Sequence, residues 1–357
     1  MIPPAIINMP PSLTLWTAFP FCEHLQRLGS ASEYIFDFKK TNTVEAFGML
    51  VVSSEIVKFI AKHSDSKITY RNYEHMTYAG HMGFFKSCGI NFGKMPGEAN
   101  GSRNYIPLTY FNTSEMEARA ASAGDDIGDE VERQSQRLAE TLLGICEGDV
   151  YETLSYSIRE IMRNVLEHAQ VDSFGFCAQY WPQKGRAEVS IVDRGIGLKK
   201  SLEYNPHIDA SDDKRAINYA LMPAISGKAF KGARPAKRGP WTNSGFGLYM
   251  TNRICRKGGN FFISSGDTGV LLTPGRDGRR YIKTCLDGTA VRLVIHTKNA
   301  DELRSSLARF RAEGYEIQKR YREIVDIDPS SASLMLAQDF DMSLMEKILS
   351  KIRVKKP

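Results

Sequence analysis

The segment Glu160-Ile-Met-Arg-Asn164 sets a carboxylate and an amide four residues apart, on a stretch with helical apolar spacing. Residues i and i+4 share one helix face, so the two side chains project together. A carboxylate can take a proton from water or from a hydroxyl. An amide oxygen suits Mg²⁺, which prefers oxygen ligands and keeps several of its waters. Asn164 is therefore the candidate Mg²⁺ residue and Glu160 the candidate general base. On spacing alone, the same two residues also read as a plain surface pair. His168 continues the face and is assigned no catalytic role.

Two glycine-rich turns and a third short motif follow. Ile191-Val-Asp193 closes a strand rich in β-branched residues and enters Arg-Gly195-Ile-Gly197. Glycines there permit backbone conformations closed to other residues and let a ring or a phosphate approach closely. Asp193 is placed to accept from an exocyclic amine, the distinguishing group of adenine. Ser244-Gly245-Phe-Gly247-Leu248 opens a helix, and free N–H groups at a helix N-terminus bind phosphate. Asp287-Gly288-Thr289 begins a strand whose threonine hydroxyl can reach inward. Each motif alone is weak and is commonly just a turn.

The elements that must position these residues can be read from periodicity. Residues 1–112 form a small α/β unit: strand 34–38, helix 43–62, strand 67–70 and helix 75–87. Strands and helices alternating over short connections imply parallel pairing. The small, polar and acidic stretch 113–127 reads as a linker. Helices are expected at 128–145 and 150–169. Strands 173–181 and 188–193 are joined as a hairpin by Pro-Gln-Lys-Gly. An irregular insert spans 198–244, and a helix runs from Gly247 to Lys257, stopped by Gly258-Gly259. Strands at 261–265, 269–273, 280–284 and 290–297 complete an antiparallel set. The tail, 298–357, is helical.

Four motifs in this order, on these elements, resemble the GHKL ATP-binding fold shared by gyrase B, heat-shock chaperones, histidine kinases and MutL. Glu160 and Asn164 match its N box. Asp193, Gly195 and Gly197 match its first G box, Gly245 and Gly247 (with Leu248) its second, and Gly288 and Thr289 its closing Gly-Thr element. The resemblance covers roughly 128–297. It implies a two-layer α/β sandwich holding Mg·ATP against a mixed sheet. By the family's pattern Asn164 binds Mg²⁺, Asp193 the adenine amino group, and Gly245 and Gly247 approach the phosphates. The insert then takes the place of the ATP lid. It carries nine Lys/Arg against four Asp/Glu, five of the basic residues lying in 228–238 without an acid. No single lysine can be named as the γ-phosphate contact. The N-terminal unit resembles the STAS domain of anti-anti-sigma factors. Aligned through Gly48, it puts Ala46 where that family carries its phosphorylated serine, so this unit is not a phosphoacceptor of the usual kind.

The totals narrow the reading further. At 357 residues the chain is long enough for two domains with an appendage. Apolar content of 42% and charged content of 25% suit a globular protein, and a net charge of +6 permits an anionic partner without indicating nucleic acid. Six cysteines show no C-x-x-C pair and no metal spacing with histidine, as expected of reduced, mostly buried thiols. The N-terminus lacks the basic start and apolar core of a signal peptide. No apolar run reaches the ~20 residues of a membrane span. A cytoplasmic protein without a membrane partner is expected. The resemblance implies an ATP-switched regulatory ATPase acting through protein partners. The alternatives are a serine/threonine kinase acting in trans, like anti-sigma kinases, and a module that holds nucleotide without catalysis. No histidine is followed by Glu or Asp, which argues against a histidine kinase, and 357 residues lack the further domains of a topoisomerase. Leu303, Leu307, Phe310, Leu344, Ile348 and Ile352 of the tail suit a homodimer seam or, more commonly, a cover for the chain's own sheet.

Overall fold

A computed structural model describes residues 3–228, 247–275, 278–299, 309–310, 312–314 and 316–317. The first unit begins with β1 (Ala5–Asn8), the two-residue strand β2 (Ser12–Leu13) and α1 (Leu15–Arg27). It continues with β3 (Glu33–Asp37), the two-residue strand β4 (Thr43–Val44), α2 (Ala46–Lys62) and β5 (Lys67–Arg71). Strands β1, β3 and β5 pair in parallel in that order, with Ile7 opposite Phe36 and Phe36 opposite Tyr70. Strand alternation turns Ile7, Tyr34 and Phe36 inward. The single helix expected over 75–87 is two short ones, α3 (Thr77–His81) and α4 (Phe84–Ser87). They are divided at Gly83, whose φ of 86° ends helical geometry.

The next segment departs from the sequence reading. β6 (Tyr105–Asn112) belongs to the second sheet, and the expected linker 113–127 is mostly the helix α5 (Thr113–Ala123). Small and acidic composition suggested a linker, but Ala, Glu and Met are strong helix formers. Asn112 caps the helix by accepting the Glu115 N–H at 3.1 Å. Met116 and Ala120, four apart, supply its buried stripe. α6 (Ile127–Leu143) and α7 (Asp149–Asn164) follow, then a π-helical turn, Val165–Ala169. Next come β7 (Ser173–Trp181), β8 (Arg186–Asp193), α8 (Gly197–Leu202), α9 (Asp213–Ala220), α10 (Gly247–Cys255), β9 (Asn260–Leu272) and β10 (Arg279–His296). The four short strands expected over 261–297 are thus two long ones, continuous through a bulge between Lys283 and Thr289.

The second sheet has the order β6-β7-β8-β10-β9, and every pairing in it is antiparallel. The mixed sheet implied by the resemblance is therefore not the arrangement found; parallel pairing is confined to β1–β5. Tight connections such as 182–185 force antiparallel neighbours. Within 128–297 the helices lie on one side of the sheet, and its other side is covered by helices of the N-terminal unit. α6, α7 and α10 cover one face of this sheet, and α1 and α2 cover the other. Strand β8 reads Val-Ser-Ile-Val, nearly continuous in apolar residues, because it is buried on both sides. Val189, Ile191 and Asp193 face α7; Glu188, Ser190 and Val192 alternate with them toward α2. Phe19 and Phe47 close on Phe262 of the sheet at 5.7 and 5.5 Å between ring centroids.

Within the insert 198–244, read as irregular, residues 198–228 are largely ordered by packing. Asp212 caps α9, accepting the Arg215 N–H at 2.7 Å, and Ile217 and Tyr219 are buried. The remainder of the insert, 229–244, lies outside the described residues. Of the tail positions, Phe310 is buried, with Arg253 of α10 4.7 Å above its ring. This portion packs on its own chain; Leu303, Leu307, Leu344, Ile348 and Ile352 lie outside the described residues. Among the described residues no helix is long and apolar enough to cross a membrane. All six cysteines are free; Cys22, Cys88, Cys177 and Cys255 are buried, and desolvation raises their thiol pKa values.

Candidate functional site

Helix α7 is amphipathic, with Leu154, Ile158 and Ile161 against the sheet. Asn164 is its last α-helical residue, and the chain then widens into the π turn Val165–Ala169. Such wider turns recur at functional sites because they re-aim side chains without ending the helix. Here the turn carries His168 beside the space that Asn164 faces. The Nδ2 atom of Asn164 is buried with no hydrogen-bond partner, a costly state for an amide.

Asp193 ends β8 and is 3% exposed. Its Oδ1 accepts the Gly195 N–H at 2.9 Å and the Thr289 N–H at 3.2 Å. Thr289 lies directly opposite Asp193 in the β8–β10 register, and its hydroxyl also bonds the carboxylate. With Oδ1 used twice, Oδ2 holds most of the remaining acceptor capacity. Burial pushes the Asp193 pKa up to about 6, against the opposing pull of the two N–H groups. The turn after it is held hard against the π turn. The Ile196 N–H donates to the Ala169 carbonyl at 2.9 Å, and a Cβ on Gly195 would overlap that same oxygen. Gly197, at φ 74°, opens α8, and the Leu198 N–H there donates to Ser265 Oγ at 2.9 Å.

These pieces surround one cavity with an empty volume of about 790 Å³, open solvent at its mouth included. Asn164, Asp193, Gly197, Gly247, Leu248 and Thr289 line it, and Ile161, Ile191, Ile263 and Val291 give it an apolar floor. Gly195 stands behind the wall rather than in it. Gly245 lies outside the described residues. Among the described residues no group of three or more His, Cys, Asp or Glu gathers to cage a metal. A cation here would take the Asn164 amide and oxygens supplied by a ligand.

Glu160, the candidate general base, stands beside the cavity rather than in its lining. It is 4% exposed. Arg159 Nη2 holds its Oε1 at 2.9 Å, and Arg163 Nη2 lies 3.5 Å from its Oε2. Both oxygens of Glu160 are thus engaged by guanidinium groups rather than turned toward the cavity. The carboxylate nevertheless lies against the start of α10, where a Cβ on Gly247 would overlap Oε2.

Three lining residues were assigned no role in the sequence reading. His168 was given no role, yet it lines the cavity. Desolvation first, then Lys228 and Arg163, pull its pKa down to about 4, so it faces the cavity as a neutral imidazole at neutral pH. Ser201 and Ser226 come from the insert, whose local pattern contains no motif. Helical spacing from Asn164 pointed toward His168; the serines depend on how α8 folds back.

No protein-family model matches the sequence, and a search of curated proteins gives no significant match.

Proposed function

We propose that this cavity binds Mg·ATP and that the chain is an ATP-binding regulatory protein of the GHKL kind, acting through protein partners. One observation carries the reading. Six residues chosen for nucleotide chemistry from motifs spread over 126 positions, Asn164 to Thr289, line a single cavity. The donor set fits the ligand. Asp193 offers a carboxylate acceptor to an exocyclic amine, beside Thr289. Gly197 and Gly247 leave the backbone bare where side chains would intrude. The buried Nδ2 of Asn164 is a donor without an internal partner, suited to a phosphate oxygen or a water, while its Oδ1 is the atom a cation would take. Mg²⁺ bound there would neutralise phosphate charge and hold phosphate oxygens in place. The apolar floor would exclude water from the base, and the N–H groups at the start of α10 suit an anion.

Calorimetric titration of the full chain tests this. Mg·ATP should bind, and Mg·GTP should bind more weakly, because guanine presents an acceptor where adenine has its amine. Asp193→Asn should weaken ATP binding by about tenfold or more, since an amide replaces the acceptor. Absence of heat with Mg·ATP would end the proposal.

A second reading, a module that holds nucleotide without turning it over, has the state of Glu160 in its favour. A base already bonded to Arg159 and Arg163 must first be released. Phosphate release decides between them. An ATPase predicts slow release by the parent that Glu160→Gln abolishes; a non-catalytic module predicts none from either.

A further inference from the structure

The peptide that presents Asp193 to the cavity presents Arg194 to the opposite face of the sheet. Arg194 Nη2 donates to Glu55 Oε2 at 2.9 Å, and its Nε donates to Ser54 Oγ at 2.6 Å, both on α2 of the N-terminal unit. Glu55 is 2% exposed. Its other oxygen accepts from Gln26 Nε2 of α1 at 2.8 Å, and the same amide reaches the Cys285 carbonyl of β10 at 2.8 Å. One turn along α2, Lys58 pairs with Asp287, two residues before Thr289. Asp193, at the end of β8, and Thr289, at the bulge within β10, thus stand on one side of the sheet, and nearby Arg194 and Asp287 are held by α2 on the other.

We infer that Glu55 is a positioning residue for the cavity: by anchoring Arg194 it holds the Asp193–Gly197 turn in the geometry that receives the ligand, so that the N-terminal unit and that ligand stabilise each other. The end of β8 and the bulge of β10 are in close contact. Gly288, at φ 99°, is so close to Asp193 that a Cβ there would overlap the Asp193 carbonyl oxygen. Coupling of this kind is reciprocal. A ligand that orders the turn tightens the docking of α2, and a partner that pulls on α2 loosens the ligand. The ligand's identity rests on the nucleotide reading; the anchoring does not.

Glu55→Gln tests the inference at constant shape. Both oxygens of Glu55 accept from donors, so either orientation of the amide turns an NH₂ toward a donor. Hydrogen exchange of the full chain without ligand should rise in peptides covering 193–198 and 286–291 and stay at the parent rate in α2 and α6. No rise, or a rise spread through α2, would overturn the positioning role. Calorimetry with Mg·ATP should then show about tenfold weaker binding, the lower range for loss of an outer partner of a bound ion. Arg194→Gln added to Glu55→Gln should weaken binding no further than the stronger single variant. Lys67→Gln, on the exposed edge strand β5, should match the parent. If the parent binds and Glu55→Gln binds within twofold of it, the inference fails while the nucleotide reading stands. If the parent does not bind, the nucleotide reading fails and the exchange result alone decides the anchoring.

Discussion

Replacing Asp193 with asparagine should make the protein more stable at neutral pH while it damages the site. The folded chain holds this carboxyl at a pKa of about 6, against 3.8 for an ordinary aspartate, because burial disfavours the charge more than the Gly195 and Thr289 N–H groups favour it. Below about pH 4 both folded and unfolded chains keep the proton, and the group is neutral in its effect. Between about 4 and 6 the unfolded chain releases the proton while the folded chain retains it, so the parent loses stability as pH rises. Above 6 the penalty is complete. A difference of about two pKa units is worth about 3 kcal/mol. Asparagine is a neutral side chain of the same shape, and its Oδ1 can still accept both N–H groups. The variant should therefore exceed the parent by up to about 3 kcal/mol at pH 8, and by only about 0.5 kcal/mol at pH 4. For 357 residues melting as one unit, the unfolding entropy is roughly 0.75 kcal/mol/K, so the melting temperature should rise roughly 4 °C at pH 8. Differential scanning calorimetry of both proteins at the two pH values measures it. A variant less stable than the parent at pH 8, or a gain that persists undiminished at pH 4, would refute the claim that Asp193 is held charged at a cost for the sake of a ligand.

Other outcomes follow from the same geometry. Gly195→Ala should destabilise the chain by about 2 kcal/mol, since its Cβ meets the Ala169 carbonyl oxygen; urea denaturation within 0.5 kcal/mol of the parent would contradict the close approach of the two turns. The His168 C2 proton should titrate with a midpoint of about 4, read by NMR. The lowered pKa means that its neutral form supports the fold above its usual value and that this support is lost as pH falls toward 4; a midpoint near 6.5 would mean that His168 is solvated rather than in the cavity wall. Glu188, fully buried, accepts the Phe47 N–H at the start of α2 and bonds Arg186 and Arg292, both at 2.7 Å. Glu188→Ala should cost about 3 kcal/mol by leaving the two guanidinium groups only the more distant Glu45 as a carboxylate partner, and equal urea midpoints for variant and parent would show that the network contributes nothing to docking the N-terminal unit.

What was legible in the sequence was local. The Asp193 turn, the helix face of Asn164, the opening of α10 at Gly247 and the β7–β8 hairpin each depend on residues within about one or two turns of chain, where side-chain periodicity and glycine placement decide geometry almost alone. Composition misled where packing made the decision. The polar stretch 113–123 became a helix because Met116 and Ala120 found a core to cover, and 105–112 joined the second sheet because β7 offered an unpaired edge. The remaining features hang on pairings between distant residues. The Thr289 N–H reaches Asp193 from 96 positions away, and Glu55 reaches Arg194 across 139. Long-range contacts of this kind leave no period in the chain. Only the tertiary structure could set Glu160 between two arginines, bring insert serines into the cavity wall, and cover the back of the sheet with the N-terminal helices, because each outcome is fixed by which surfaces exclude water together rather than by any neighbouring residue.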